Sequence, residues 1–251
     1  MPFGQTYENN RAGGSSEVRE SPYLRIKSGE RIIRILDDDA VGFWQYFIDV
    51  NVGGKITGRS IIVGGSNNPI KRYMDSLEEG HPKYRRPSRR FLMNVYDRSP
   101  VIRVDGQTYY ADDRGNFPPQ TNVKDKDGFP LISEPNNRIM LLEFGPSLME
   151  DFMTLHKRIR NPETGTAMSI QEFDLRIMAK GTGRDMKKTP IPGTDRDSTK
   201  PLPEAVADGP RYDLASCTRP VPDEAQERLL AGEDYSTIIR SLGWEPIKPL
   251  W

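Results

Sequence analysis

Apolar and polar residues alternate along much of the first half of the chain, and this alternation predicts strands. "YLRIK" (residues 23–27), "RIIRIL" (31–36), "FWQYFIDV" (43–50) and "RSIIV" (59–63) are separated by the turn-forming "SGE", "DDDAVG" and "NVGGKITG". The stretch 64–88 breaks the pattern. Ile70, Tyr73, Met74 and Leu77 recur at a helical period before Gly80, which predicts a short helix inside a long connection. "RFLMNVYD" and "VIRVDG" return to strand character, and residues 105–138 read as a long turn-rich loop. "RIMLLEFG" predicts a buried strand. In "PSLMEDFMTLHKRIRN", Leu148, Phe152, Leu155 and Ile159 share one helical face, and "QEFDLRIMAKGTG" with "MKKTPIPG" predicts a closing hairpin. The predicted fold is mainly β with a small α content: an OB-type five-stranded barrel with a helical insertion and extended loops.

Three segments follow from this order. Residues 1–20 form a polar arm predicted to be disordered, residues 21–195 the OB-type core, and residues 196–251 a linker and a C-terminal helical tail. Gly and Pro together make up 22 plus 21 of the 251 residues, so the chain is rich in loops. It has no long apolar run and no basic-then-apolar leader, so neither a membrane span nor a secretory signal is expected. The single cysteine, Cys217, has no partner for an intrachain disulfide, which points to a reducing cytoplasm.

Formal net charge is zero, yet it is unevenly spread. Between Lys71 and Arg98 stand eight Lys/Arg and four Asp/Glu, whereas from Pro201 onward nine Asp/Glu face five Lys/Arg. Lys83, Arg85, Arg86, Arg89 and Arg90 crowd one stretch, with Tyr73, Tyr84, Phe91 and Tyr96 along it. Cations that neutralise phosphates beside rings that stack on bases are what non-specific single-strand binding requires. Alternation places Phe43, Gln45, Phe47 and Asp49 on one face of the aromatic strand and Trp44, Tyr46 and Ile48 on the other, so one ring pair is expected to be exposed. Lys180, Arg184, Lys187 and Lys188 in the closing hairpin supply a second basic group. The expected DNA-binding set also includes Arg59, Lys71, Arg72 and Arg98.

No enzyme signature accompanies these residues. Asp37, Asp38 and Asp39 lie in a turn where consecutive carboxylates diverge, "GTG" at 181–183 does not open a helix, and neither His156 nor Cys217 has a catalytic neighbour motif.

"SPYLRIKSGERIIRIL", "FWQYF", "RRFLMNVYDRSPVIRV", "IMLLEFGPSLMEDFMTLHK" and "FDLRIMAKGTGRDMKKTPIP", in this order, resemble the single-stranded DNA-binding proteins of tailed phages, the helix-destabilising replication proteins of the T-even type. The resemblance covers roughly residues 21–192. It implies a basic, aromatic cleft in an OB-type barrel, a role in DNA replication, recombination and repair, and a place in the cytoplasm of an infected bacterial host. Trp44 and Tyr46 match the aromatic strand, Arg89, Arg90, Phe91 and Arg98 the central strand, and Lys180, Arg184 and Lys187 the hairpin. Many relatives carry zinc-binding cysteines in the insertion; here residues 64–88 hold only His81, so no cofactor and no metal are expected. Relatives also use a basic N-terminal arm for cooperative binding. Here Arg11 and Arg19 are offset by Glu8, Glu17 and Glu20, though self-association on DNA is kept as an expectation. The tail suggests replication or recombination partners through Ile238, Ile239, Leu242, Trp244 and Trp251, or a helix docked on its own domain. A reading from another class, a structural or adaptor protein of a phage replication or virion assembly, stays open.

Overall fold

The computed structural model describes residues 21–26, 29–112, 114–125, 127–161, 164–181, 186–193 and 198–243. Its strands in chain order are β1 (Gly29–Ile35), β2 (Val41–Val52), β3 (Lys55–Val63), β4 (Ser88–Asp97), β5 (Pro100–Val104), β6 (Gln107–Tyr110), β7 (Glu134–Pro135), β8 (Arg138–Phe144), β9 (Leu175–Lys180) and β10 (Lys187–Pro192). The helices are α1 (Pro69–Asp75), α2 (Pro146–Arg158), α3 (Glu204–Ala207), α4 (Leu214–Cys217), α5 (Asp223–Leu230) and α6 (Tyr235–Ser241). The protein is mainly β, and its strand pairs are antiparallel. Among the described residues no pairing closes a sheet into a barrel. Of the stretch 23–27, expected as a strand, the described residues 23–26 contribute a bridge from Tyr23 to Leu141.

The chain divides into two compact units, and the boundaries are not those of the sequence segments. Within the described residues, one unit comprises 41–92 with 212–243, and the other 21–40 with 93–211. The C-terminal helices are therefore built into the unit that holds the aromatic strand.

In the first unit β2 and β3 pair from Trp44–Val63 to Val52–Lys55 around a two-residue turn, Gly53–Gly54. Both glycines have positive φ (57° and 83°), as a type I′ turn requires. The start of β2 pairs with the start of β4, from Val41–Leu92 to Gln45–Ser88. One face of the hairpin, carrying Tyr46, Ile48, Val50, Ile61 and Val63, packs with Ile70 and Met74 of α1 and with Ala225, Leu229, Tyr235, Ile238 and Ile239 of α5 and α6. α1 starts where Asn68 Oδ1 accepts from Lys71 N (2.9 Å) and Pro69 fixes the first turn, and it ends at Ser76, before Gly80. α6 starts where Asp234 Oδ1 accepts from Thr237 N (2.9 Å); the other oxygen of Asp234 accepts from Gly53 N (2.6 Å), tying the helix to the hairpin turn.

In the second unit β10, β9, β1 and the end of β4 lie side by side, with Glu30–Met178, Thr189–Met178 and Arg34–Tyr96 among the facing pairs. Two buried polar networks organise it. Asp174 accepts from Arg34 Nε (2.8 Å) and from Arg98 Nη1 (2.6 Å). Asp97 accepts from Ser99 Oγ (2.5 Å), Tyr110 Oη (2.7 Å) and Asn136 Nδ2 (2.7 Å), and the Arg31 guanidinium lies 4.1 Å from the Tyr110 ring centroid. The long loop 105–138 is partly ordered by β6 and β7, which flank β5. α2 buries Leu148 and Phe152, with Leu155 and Ile159 half-buried, the face its period predicts.

Candidate nucleic-acid interface

Strand β2 does not keep one face buried along its length. Phe43 and Gln45 are buried on one side, and from Tyr46 the burial passes to the other side, through Ile48 and Val50. Two rings are left in solvent by this switch. Trp44 is 49% exposed and Phe47 is 55% exposed, and strict alternation puts them on opposite faces.

The Trp44 face carries the basic and aromatic groups. In the β2–β4 register Trp44 stands opposite Arg89, and Gly42 opposite Phe91. Directly opposed side chains share a face. The Arg89 guanidinium lies 5.2 Å from the Phe91 centroid, within cation–π range. Gly42 makes room for this pair: a Cβ there would stand 3.3 Å from Phe91 Cε1 and 3.8 Å from Arg89 Nη2. Trp44, Arg89 and Phe91 thus form a short platform, with an exposed indole, an exposed cation and a half-buried phenyl ring.

In the same unit lies a pocket of about 240 Å³ lined by Ile48, Asp49, Ile56, Tyr73, Met74, Lys83, Arg85 and Leu230. Its lining is mainly apolar, with one tyrosine ring, two cations and the Asp49 carboxylate. Arg85 is held by its backbone N–H on Met74 Sδ (3.3 Å) and by Nη1 on the carbonyls of Pro82 (2.7 Å) and Tyr84 (2.8 Å). Tyr84 is half-buried. No carboxylate pairs with Lys83, Arg85 or Arg89 among the described residues.

The other expected cations are partly neutralised. Lys71 is paired with Asp75, Arg86 with Glu79, and Arg72 with Glu227 at 3.5 Å. The hydrogen bond that Lys71 donates to Asp75 holds its ammonium above its ordinary pKa, and the one that Arg86 donates to Glu79 does the same for the guanidinium. Arg90 is half-buried opposite Phe43.

Four expectations are corrected by burial and pairing. Tyr46 is 3% exposed, packed under the helices, and burial raises its phenol pKa, so it offers no ring for stacking. Arg59 is buried, with Nη1 donating to the Gly58 carbonyl at 3.1 Å. Arg98 is held in the Asp174 network of the second unit. Ile238 and Ile239 are core residues of their own unit, and half-buried Leu242 packs against the same cluster, so these three do not form an exposed anchor. A helix whose apolar face is already covered has none left for a partner groove.

In the closing hairpin Lys180 and Lys187 are exposed and directly opposed in the β9–β10 register, and half-buried Lys188 pairs with Ala179. Like charges facing each other across a ladder repel, and an anion seated between them relieves that repulsion. Arg184, Trp244 and Trp251 lie outside the described residues. Phe47, Gly42 and Asp49 were not in the expected set. Gly42 could have been found from its place two residues before Trp44, where a missing side chain leaves space beside the ring.

Among the described residues no three His, Cys, Asp or Glu side chains gather as a metal site would need, and no helix is long and apolar enough to cross a membrane. No family model matches the sequence, and a search of curated proteins returns no match.

Proposed function

We propose that this protein binds single-stranded DNA without sequence preference and protects unwound template during phage DNA replication, recombination and repair. The observation that carries the proposal is the pairing of Trp44 with Arg89 on one sheet face, with Phe91 beside them. An exposed ring gives a base a flat partner at about 1–3 kcal/mol per stacked base. Arg89 neutralises a phosphate, and each such contact to a single strand adds about 0.7 to the slope of log affinity against log salt. The nearby pocket, whose mainly apolar lining carries Lys83, Arg85 and Asp49, suits a base whose phosphate stays in solvent. The opposed Lys180 and Lys187 give the second unit a phosphate contact of its own. The OB-type ancestry of the sheet, a non-enzymatic role, the absence of a required metal and residence in the cytoplasm of an infected host belong to the same proposal. Binding of oligo(dT), tested against duplex DNA across a salt series, checks it.

A structural or adaptor role is favoured by a different observation. Val123, Phe129 and Ile132 are exposed within the 105–138 loop, where Leu131 N donates to the Val123 carbonyl (3.3 Å) and Asp125 N to the Phe129 carbonyl (2.8 Å). An ordered loop presenting apolar side chains suits a protein contact. A protein that binds no oligo(dT), but loses a partner on Phe129→Ser/Ile132→Ser substitution, fits that role.

A further inference from the structure

We infer that the pocket of the first unit is a guanine site, taking one base of the bound strand. The inference rests on the single-strand reading above. Stacking and phosphate neutralisation treat the four bases nearly alike, so a preference at one position requires groups that read a base edge. The pocket brings such groups together. β4 pairs with β2 as far as Gln45–Ser88, and the segment leading into β4 places Lys83 and Arg85 in the pocket lining with Asp49 of β2 and Tyr73 of α1.

These polar groups are uncommitted. Among the described residues the Asp49 carboxylate, the Tyr73 hydroxyl and the Lys83 ammonium have no hydrogen-bond or ion-pair partner. The Arg85 guanidinium donates from Nη1 to the carbonyls of Pro82 and Tyr84, which leaves Nε and Nη2 for another acceptor. The Arg85 backbone is fixed, because its N–H donates to Met74 Sδ (3.3 Å). A carboxylate and two cations that line one pocket without pairing with each other suit a ligand that carries both donors and acceptors.

Guanine is the base with that distribution. Its N1–H and N2–H are donors side by side, one for each carboxylate oxygen of Asp49. Its O6 and N7 are acceptors on the adjoining edge, the pair that Lys and Arg bind. Adenine and cytosine set a ring-nitrogen lone pair beside the amino group, and thymine flanks its one N–H with two carbonyls. Each of these three therefore turns an acceptor toward Asp49. Size agrees. At about 240 Å³ the pocket is smaller than the roughly 300–1,000 Å³ of sites for drug-sized ligands, so it admits a single base. Ile48, Met74 and the Tyr73 ring supply apolar contact for the base faces.

The test titrates the full chain with short oligo(dT) carrying one central dG, dA or dC. Separately, dGMP, dAMP, dCMP and dTMP are titrated and followed by amide chemical shifts. The oligonucleotide with dG should bind about tenfold tighter than the others, the scale of one hydrogen bond to a charged group. Of the monophosphates, dGMP should bind tightest and shift the amides of Asp49, Tyr73 and Lys83. Asp49→Ala, at an exposed position, should level the four bases. Asp49→Asn exchanges one acceptor for a donor and should move the preference to adenine or cytosine. Oligo(dT) bound with no gain from dG, or a gain that survives Asp49→Ala, overturns the guanine site and leaves the single-strand reading standing. Failure of every oligonucleotide to bind overturns the single-strand reading, and the monophosphates then judge the pocket by themselves. There, dGMP binding no tighter than the other three overturns the guanine site as well.

Discussion

Trp44 and Arg89 face each other across the β2–β4 ladder, and the Arg89 guanidinium also reaches over Phe91. The relationship couples a ring to a cation that has no carboxylate partner among the described residues. It gives the two side chains separable signatures.

Trp44→Ala should weaken oligo(dT) binding by about 5- to 150-fold, the equivalent of about 1–3 kcal/mol for one stacked base. Trp44→Phe should retain much of the affinity, because a smaller ring still stacks. Since Trp44 is half exposed, neither change should move the melting temperature far. Titration of each variant, with thermal melts alongside, separates loss of contact from loss of fold.

Arg89→Ala should lower the salt slope by about one phosphate's contribution, about 0.7, and leave stability nearly unchanged. Arg34→Ala should do the reverse. It takes from the buried Asp174 carboxylate one of its two guanidinium partners, Arg34 and Arg98, and removing one partner of a buried pair costs about 3–5 kcal/mol. Urea unfolding and salt-dependent titration of the two variants should sort them into opposite classes.

Ile238 is fully buried, so Ile238→Ala should cost about 2–5 kcal/mol of stability. Were this helix instead a partner anchor, the substitution would leave the denaturant midpoint of the isolated protein unchanged. The midpoint alone decides.

Asp234 joins two elements, accepting from Gly53 N in the β2–β3 turn and from Thr237 N at the start of α6. Those two N–H groups, Gly53 first, hold its carboxyl below the usual aspartate range. A carboxylate with a lowered folded pKa stabilises above its unfolded value, about 3.9, and the benefit fades as pH falls through the folded value. Asp234→Ala should therefore lower the melting temperature at neutral pH, and the gap to wild type should close on acidification below about pH 4. A gap independent of pH would remove Asp234's charge from the explanation.

Much of this architecture could be read from the chain. Alternation located β2, β4 and the β9–β10 hairpin, and the 3.6-residue period located α2 and the Asn68–Pro69 start of α1. Alternation could not say which side of β2 is buried, because the cover comes from α1 and from α5 and α6 far along the chain and changes sides at Gln45–Tyr46. Tyr46 and Trp44 therefore looked equivalent. Arg98 looked like its basic neighbours because its partner, Asp174, is 76 residues away. Ile238 and Ile239 form the same apolar helical face whether it docks on its own domain or on another protein, and only the packing distinguishes the two. The strand order suggests a partly open OB-type barrel, and among the described strands no pairing closes the sheet into a barrel.

The most direct test of the central claim is a tryptophan-fluorescence titration of wild-type and Trp44→Phe protein with oligo(dT) and with duplex DNA at rising salt. The chain has three tryptophans, so the variant assigns the signal. Single-strand binding at Trp44 predicts quenching by oligo(dT), much of it lost in Trp44→Phe, a steep salt dependence and weak binding to duplex. No binding of oligo(dT) at low salt, or quenching unaltered in Trp44→Phe, would contradict it.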